Sequence, residues 1–199
     1  METELKLYTV DTKYINYLKE HQKNMWDNDE KGRIRPYIGV LITIDSFKYY
    51  APLSSPKPKH SGWKDRLDFI RIEYKDELKC VINLNNIIPV HDDDIFLIDI
   101  DKEEEKYADL LNVEMIEIRK KKDIIISNAR SLHVKMTKYR HEPANARLAA
   151  FCYDFLKLEE KLHEYQVMKQ EKRDALAERL GQALLKETLE ETGAAQDNK

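Results

Sequence analysis

The chain has 199 residues, 42% of them apolar and 36% charged, with a net charge of −3, which suits one folded domain and excludes disorder throughout. No apolar run approaches the roughly 18 residues a membrane helix needs, and the start Met-Glu-Thr-Glu lacks a secretory signal, so a cytoplasmic protein with no membrane partner is expected. Cys80 and Cys152 stand apart, outside any metal-ligand spacing, and are expected as buried thiols in a reducing compartment rather than as a disulfide or zinc site.

Along the chain, Leu5 to Val10 reads as a strand, and Asp11 or Thr12 as the N-cap of a helix carrying Tyr14, Ile15, Tyr17 and Leu18. A polar loop follows from about residue 24 to 35. Tyr37 to Ile44 and Phe47 to Pro52, joined by Asp45-Ser46, predict a hairpin. Further strands are predicted over Leu67 to Tyr74, Leu78 to Leu84, Ile87 to Val90 and Ile95 to Ile100; their short connections require a mostly antiparallel sheet. From Lys102 the periodicity becomes helical, with Tyr107, Leu110, Leu111 and Met115 on one face and a second helix over Ile124 to Tyr139. Pro143 precedes a final helix from near Ala144 that is expected to bury Phe151, Phe155, Leu158, Leu162 and Tyr165 and to continue to Lys186, with a disordered tail beyond Gly193. Strands first and helices second make the fold class α+β, with a domain over 1–166 and a helical extension over 167–199 whose Met168, Leu176, Leu180 and Leu184 suit either a partner helix or a solvated, frayed one.

Five scattered glycines exclude dinucleotide and P-loop motifs, and six scattered histidines offer no metal-binding pair, so no cofactor and no metal are expected. Asp92-Asp-Asp94 reads as a solvated turn rather than a Mg²⁺ site. Charge is unevenly distributed. Between Lys31 and Arg66 eight basic residues face two acids, a local basic face able to meet a polyanion despite the net charge.

Within that stretch lies Leu53-Ser-Ser-Pro-Lys-Pro-Lys-His60. Two prolines stiffen the backbone and crowd Ser54, Ser55, Lys57, Lys59 and His60 together. On composition this is either a phosphate-binding loop or a Pro-rich turn with solvated lysines. RNA supplies its own nucleophile, the 2′-OH, so a protein that cleaves it needs groups that position the phosphate, stabilise its charge and move protons, which Lys, Arg, Tyr and hydroxyls provide without a metal.

Lys6-Leu-Tyr-Thr-Val10, Tyr14-Ile-Asn-Tyr-Leu18, Arg35-Pro-Tyr-Ile-Gly-Val40, Phe47 through His60, Asp68-Phe-Ile70, Val81 through Val90 and Leu158-Glu-Glu-Lys161 together resemble the ToxN/AbiQ family of endoribonuclease toxins. The resemblance runs in order over about residues 5 to 165. It implies a compact, strongly twisted antiparallel sheet flanked by helices, metal-independent cleavage to 2′,3′-cyclic phosphate and 5′-hydroxyl ends, and inhibition by a small repetitive, pseudoknotted antitoxin RNA in a closed protein–RNA hetero-oligomer. Tyr14, Arg35, Ser54, Ser55 and Lys57 fall on the family's active-site pattern: Lys57 as main phosphate ligand, Ser55 on the phosphate or 2′-OH, Arg35 as a transition-state cation, Tyr14 orienting the 2′-OH or stacking on a base, with core packing as its alternative. Arg33, Lys59, His60, Trp63 and Lys64 are expected RNA contacts, with burial an equal alternative for Trp63. A non-catalytic RNA-binding module, or an adaptor built on the C-terminal helix, are the competing readings, and the extension beyond Val167 departs from the family pattern.

Overall fold

The computed structural model describes residues 4–30 and 33–196, and the side chains of 4–28 and 34–184. Strand β1 (Lys6–Val10) ends at Asp11, whose carboxylate accepts from the Lys13 N–H at 2.7 Å and so caps helix α1 (Thr12–His21). Within the segment expected as a loop, β2 (Asp29–Glu30) and β3 (Arg33–Ile34) pair as a small ribbon. The expected hairpin is β4 (Tyr37–Ile44) with β5 (Phe47–Ser54), turning through Asp45 at φ 52°. A second hairpin, β6 (Phe69–Tyr74) with β7 (Glu77–Asn83), turns through Lys75 and Asp76, both at positive φ as a tight two-residue hairpin turn requires. β6 starts two residues later than the pattern predicts, because Arg66 and Phe69 exchange backbone hydrogen bonds at 2.8 and 3.2 Å and close a turn instead.

With β8 (Ile88–Pro89) and β9 (Ile95–Leu97) these strands form a seven-stranded sheet in the order β6-β7-β5-β4-β1-β9, β8 lying beside β5, and each pairing is antiparallel. Strand β5 organises it. One edge of β5 follows β4; the other meets β8 at Tyr49 and Tyr50 and β7 only at Leu53 and Ser54. Close approach decides one glycine: a Cβ on Gly39 of β4 would lie 2.2 Å from the ring of buried Tyr50.

Helix α2 (Glu105–Lys120) packs on β6 and β7, and α3 (Lys122–Lys138) on β4. The final helix differs from expectation. It is broken into α4 (Ala146–Phe151) and α5 (Phe155–Gln196), because the Arg140 guanidinium takes the carbonyls of Ala149, Cys152 and Tyr153, each at 3.0 Å, and ends α4 there. Phe151, expected in the core, is consequently 66% exposed, whereas Phe155, Leu158 and Leu162 are buried and Tyr165 half-buried. α5 continues past Gly193, where a disordered tail was expected, to Gln196; residues 197–199 lie outside those described.

Apolar side chains of α1, α2, α3, α5 and the sheet form the core, and a polar connection links β5, α3 and α5 across it. Tyr49 of β5 donates to Glu159 of α5, and His133 of α3 lies within 3.1 and 3.2 Å of both. Burial pushes the Glu159 carboxyl up, but the hydrogen bonds from His133 and Tyr49 more than offset this and hold it below its usual range. The Asp92–Asp94 turn is a short 3₁₀ segment in which Asp92 pairs with Lys48 at 2.6 Å. Cys80 and Cys152 are buried free thiols, and among the described residues no helix is long and apolar enough to cross a membrane.

The chain divides into two compact units, Met1–Leu162 and His163–Lys199. In the second, Leu176, Leu180 and Leu184 are 55%, 56% and 64% exposed, four residues apart along α5.

Candidate active site

The end of β5, the stiff segment after it, the start of β6, the end of β7 and the α1–β2 connection surround a groove of about 900 Å³, closed on the far side by α4 and Lys135 of α3. Among the described residues six cations line it, Lys23, Lys57, Lys59, Arg66, Lys135 and Arg147, against one carboxylate, Asp68, which pairs with Arg66 at 3.3 Å. The basic face read from residues 31–66 is thus extended by cations from the helical half. Such a field, walled by protein, favours a polyanion. Aromatic rings are set among these charges: Trp26, Trp63, Phe69, Phe151 and Tyr153.

Ser54, the last residue of β5, is buried at the base of the groove. Its Oγ accepts from Arg35 Nη1 at 3.1 Å and from Asn83 Nδ2 at 3.2 Å, which leaves its own proton to be donated elsewhere. Arg35 is itself 8% exposed, with Nη1 also on the Leu53 carbonyl at 3.2 Å, Nε on the Asp27 carbonyl at 3.3 Å and its guanidinium 4.9 Å from the Trp26 ring centre. It braces the strand end and does not line the groove. Beyond Ser54, Ser55 is exposed outside the lining, and the exposed Lys57 reaches back so that Nζ stands 5.9 Å from the centre of Trp26.

The turn Pro58–His60 follows. Lys59 and Arg66 approach the Trp63 ring at 5.5 and 4.9 Å, and Trp63 packs in turn on His60 and Phe69 at 5.1 and 4.9 Å. Trp63 is therefore half-buried, flanked by cations on its open side. The Arg71 guanidinium fixes this loop through the Trp63 carbonyl and the Glu73 carboxylate. His60 is 4% exposed, and burial, followed by the charges of Lys59, Lys57 and Arg71, holds its pKa below the usual imidazole value.

Of the residues singled out from sequence, the structure brings Ser54, Lys57, Lys59, His60 and Trp63 to the groove. Tyr14 goes to the core instead: it is fully buried and its hydroxyl donates to the Pro89 carbonyl at 2.8 Å, so it neither stacks on a base nor reaches a 2′-OH in this arrangement. Lys64 is exposed away from the lining, and the Arg33 side chain lies outside the described residues.

Sequence reasoning missed Trp26, Asn83, Asn85, Asn86, Lys135, Arg147, Phe151 and Tyr153. The asparagines were legible in principle, since three amides within the apolar run Val81 to Ile88 contradict a simple strand. Tyr153 was not. Its N–H reaches the Asn85 carbonyl at 3.0 Å and its hydroxyl accepts from the Trp26 N–H at 3.2 Å, contacts 68 and 127 residues apart in sequence. Burial pushes that phenol up to about 12, so it stays protonated at neutral pH.

The profile of the toxin ToxN family of type III toxin–antitoxin systems matches residues 6–163. The endoribonuclease ToxN of Bacillus thuringiensis subsp. kurstaki is 29% identical over 88% of this chain and 91% of its own length. The endoribonuclease AbiQ of Lactococcus lactis subsp. lactis is 27% identical over 81% of this chain and 89% of its own. Among solved structures, a toxin from a study of selective toxin inhibition by a non-coding RNA pseudoknot superposes with a TM-score of 0.75 at 26% identity, covering 82% of this chain and 99% of the other. The chain belongs to the ToxN family of toxins of type III toxin–antitoxin systems.

Proposed function

We propose that this protein is a metal-independent endoribonuclease that cleaves RNA to 2′,3′-cyclic phosphate and 5′-hydroxyl ends. The observation that carries the reading is that Lys57 and Ser54 stand together in a groove lined, among the described residues, by six cations and one paired carboxylate. In the reaction, the substrate's 2′-oxygen forms a bond to phosphorus and loses its proton, while the bond to the 5′-oxygen breaks and that oxygen takes up a proton. Charge builds on the non-bridging oxygens, where the Lys57 ammonium and the hydroxyl of Ser55 or Ser54 stabilise it. Arg35, held on Leu53 and Ser54, keeps the strand end rigid, a positioning role in place of direct contact. Lys59, Trp63 and the α4 side bind flanking phosphates and bases, Trp63 and Phe151 offering faces for stacking. Lys64, exposed just beyond this wall, and Arg33 are proposed to meet more distant phosphates.

The cognate inhibitor in this proposal is a small repetitive pseudoknotted RNA that occupies the same basic groove and closes a protein–RNA assembly. Support comes from the related toxin studied with a pseudoknot inhibitor and from the anti-phage role carried by relatives such as AbiQ. The setting proposed is the cytoplasm, where buried thiols such as Cys80 and Cys152 stay reduced.

The test is cleavage of a mixed-sequence RNA in excess EDTA by wild type and by Lys57→Ala, with end-group analysis. Cyclic-phosphate ends from the wild type alone support the proposal. Folded protein that binds RNA without cutting it replaces the enzyme with a binding module, and cleavage abolished by EDTA removes the metal-independent mechanism.

A further inference from the structure

Lys57 stands between two prolines, and each bears on its backbone. Pro58 pushes the residue before it into an extended conformation, and Lys57 is found at φ −122°, ψ 153°. Its two backbone polar groups are both taken by one residue. The Lys57 carbonyl accepts from the His60 N–H at 2.8 Å, and the Lys57 N–H donates to His60 Nδ1 at 3.1 Å. This reciprocal pair resembles a capping box, with an imidazole where a carboxylate or amide usually sits. The ring cannot swing away. It is 4% exposed, 5.1 Å from Trp63 and 5.4 Å from Phe69, and the loop behind it is tied by Trp63 N–H to the His60 carbonyl at 3.1 Å.

An imidazole that accepts at Nδ1 must be neutral, with its hydrogen on Nε2. The cations around it favour that form: Lys57 and Lys59 on the turn, Arg71 from β6, whose guanidinium holds Glu73 and whose backbone N–H donates to the Asp65 carboxylate, and Arg66 over the Trp63 and Phe69 rings. A histidine in a ribonuclease groove invites assignment as general base or as an RNA contact; this one spends its only acceptor on a backbone amide.

We propose that His60 is a positioning residue, whose neutral Nδ1 clamps the backbone of Lys57 and thereby holds the Lys57 ammonium over the scissile phosphate. The inference rests on the ribonuclease reading above and acts entirely through Lys57. Protonation would set a ring N–H against the Lys57 N–H, break the clamp and let the ammonium drift, so activity carries an acid limb that belongs to His60.

The experiment compares His60→Phe, which keeps an aromatic ring between Trp63 and Phe69 but has no acceptor, with His60→Asn, whose amide oxygen can accept but does not titrate. In steady-state cleavage, His60→Phe is expected to lower kcat by about tenfold to hundredfold with little change in KM, as a small displacement of a catalytic group does. His60→Asn should recover most of the rate and lack the acid limb. Wild-type kcat in His60→Phe, a rise in KM alone, or a His60→Asn variant as slow as His60→Phe overturns the proposal.

Ring ¹⁵N spectra of His60 in the wild type, followed with the Lys57 amide against pH, read the clamp without any cleavage and whether or not a variant folds. A proton on Nδ1 in the folded protein at neutral pH overturns the clamp even if RNA is cut. A folded wild type that cuts no RNA removes the ribonuclease reading, while the spectra still decide whether His60 holds Lys57.

Discussion

Glu114→Gln should abolish a pH dependence of stability that a single buried carboxyl imposes. Glu114 faces the sheet from α2, is 5% exposed, and has its pKa raised from 4.5 to about 7, chiefly by burial, with a smaller opposing effect of a hydrogen bond involving the Cys80 thiol. The unfolded chain releases this proton near 4.5, whereas the folded chain keeps it until about 7. Between those values the folded state binds more protons, so stability falls as pH rises, by about 1.4 kcal/mol for each tenfold drop in proton concentration. Accumulated over the whole interval, the loss is about 3 kcal/mol, fully present above the folded value and absent below the unfolded one. Glutamine stays neutral throughout. Urea unfolding of both proteins at about pH 5, 6, 7 and 8 should therefore show the variant gaining steadily on the wild type, levelling off near about 3 kcal/mol. A difference that stays constant across that range refutes the reasoning, because it would mean that Glu114 titrates alike in both states.

Ser54→Ala removes the oxygen that Arg35 and Asn83 both donate to, and leaving buried donors unpaired should cost about 1–3 kcal/mol in urea unfolding together with a fall in kcat; unchanged stability would show that neither bond matters. Gly39→Ala places a methyl 2.2 Å from a Tyr50 ring atom, and with Tyr50 buried the overpacking should cost about 1–3 kcal/mol, read as a lowered Tm. Phe151→Ala, at a side chain 66% exposed in the groove wall, should shift stability by less than about 0.5 kcal/mol yet weaken binding of single-stranded RNA by about 1–3 kcal/mol, measured by fluorescence anisotropy. Equal affinity in that variant would remove Phe151 from the RNA path.

The runs rich in aromatic and β-branched residues at Tyr37–Ile44 and Phe47–Pro52, the cap at Asp11 and the helical spacing of Leu111 and Met115 are local signals, and they were enough for the α+β class and most elements. So was the stiff Ser54–His60 segment, because Pro56 and Pro58 restrict the backbone whatever surrounds it. Residue types alone did not tell which groups share a cavity. Tyr14 and Tyr153 are both tyrosines beside apolar residues, yet one turns to the Pro89 carbonyl in the core and the other to Trp26 and Asn85 at the groove. The break between α4 and α5 is likewise invisible locally, since Cys152 carries no helix-breaking property; Arg140, arriving from beyond α3, makes it by taking three carbonyls. The sequence by itself determined most of the elements, the basic stretch and the rigid loop, all of which rest on neighbours along the chain. Tertiary structure decided that Arg35 braces rather than reaches out, that Lys135, Arg147 and Phe151 join the site, and that His60 faces the Lys57 amide, because burial and hydrogen-bond pairing depend on residues that only folding brings together.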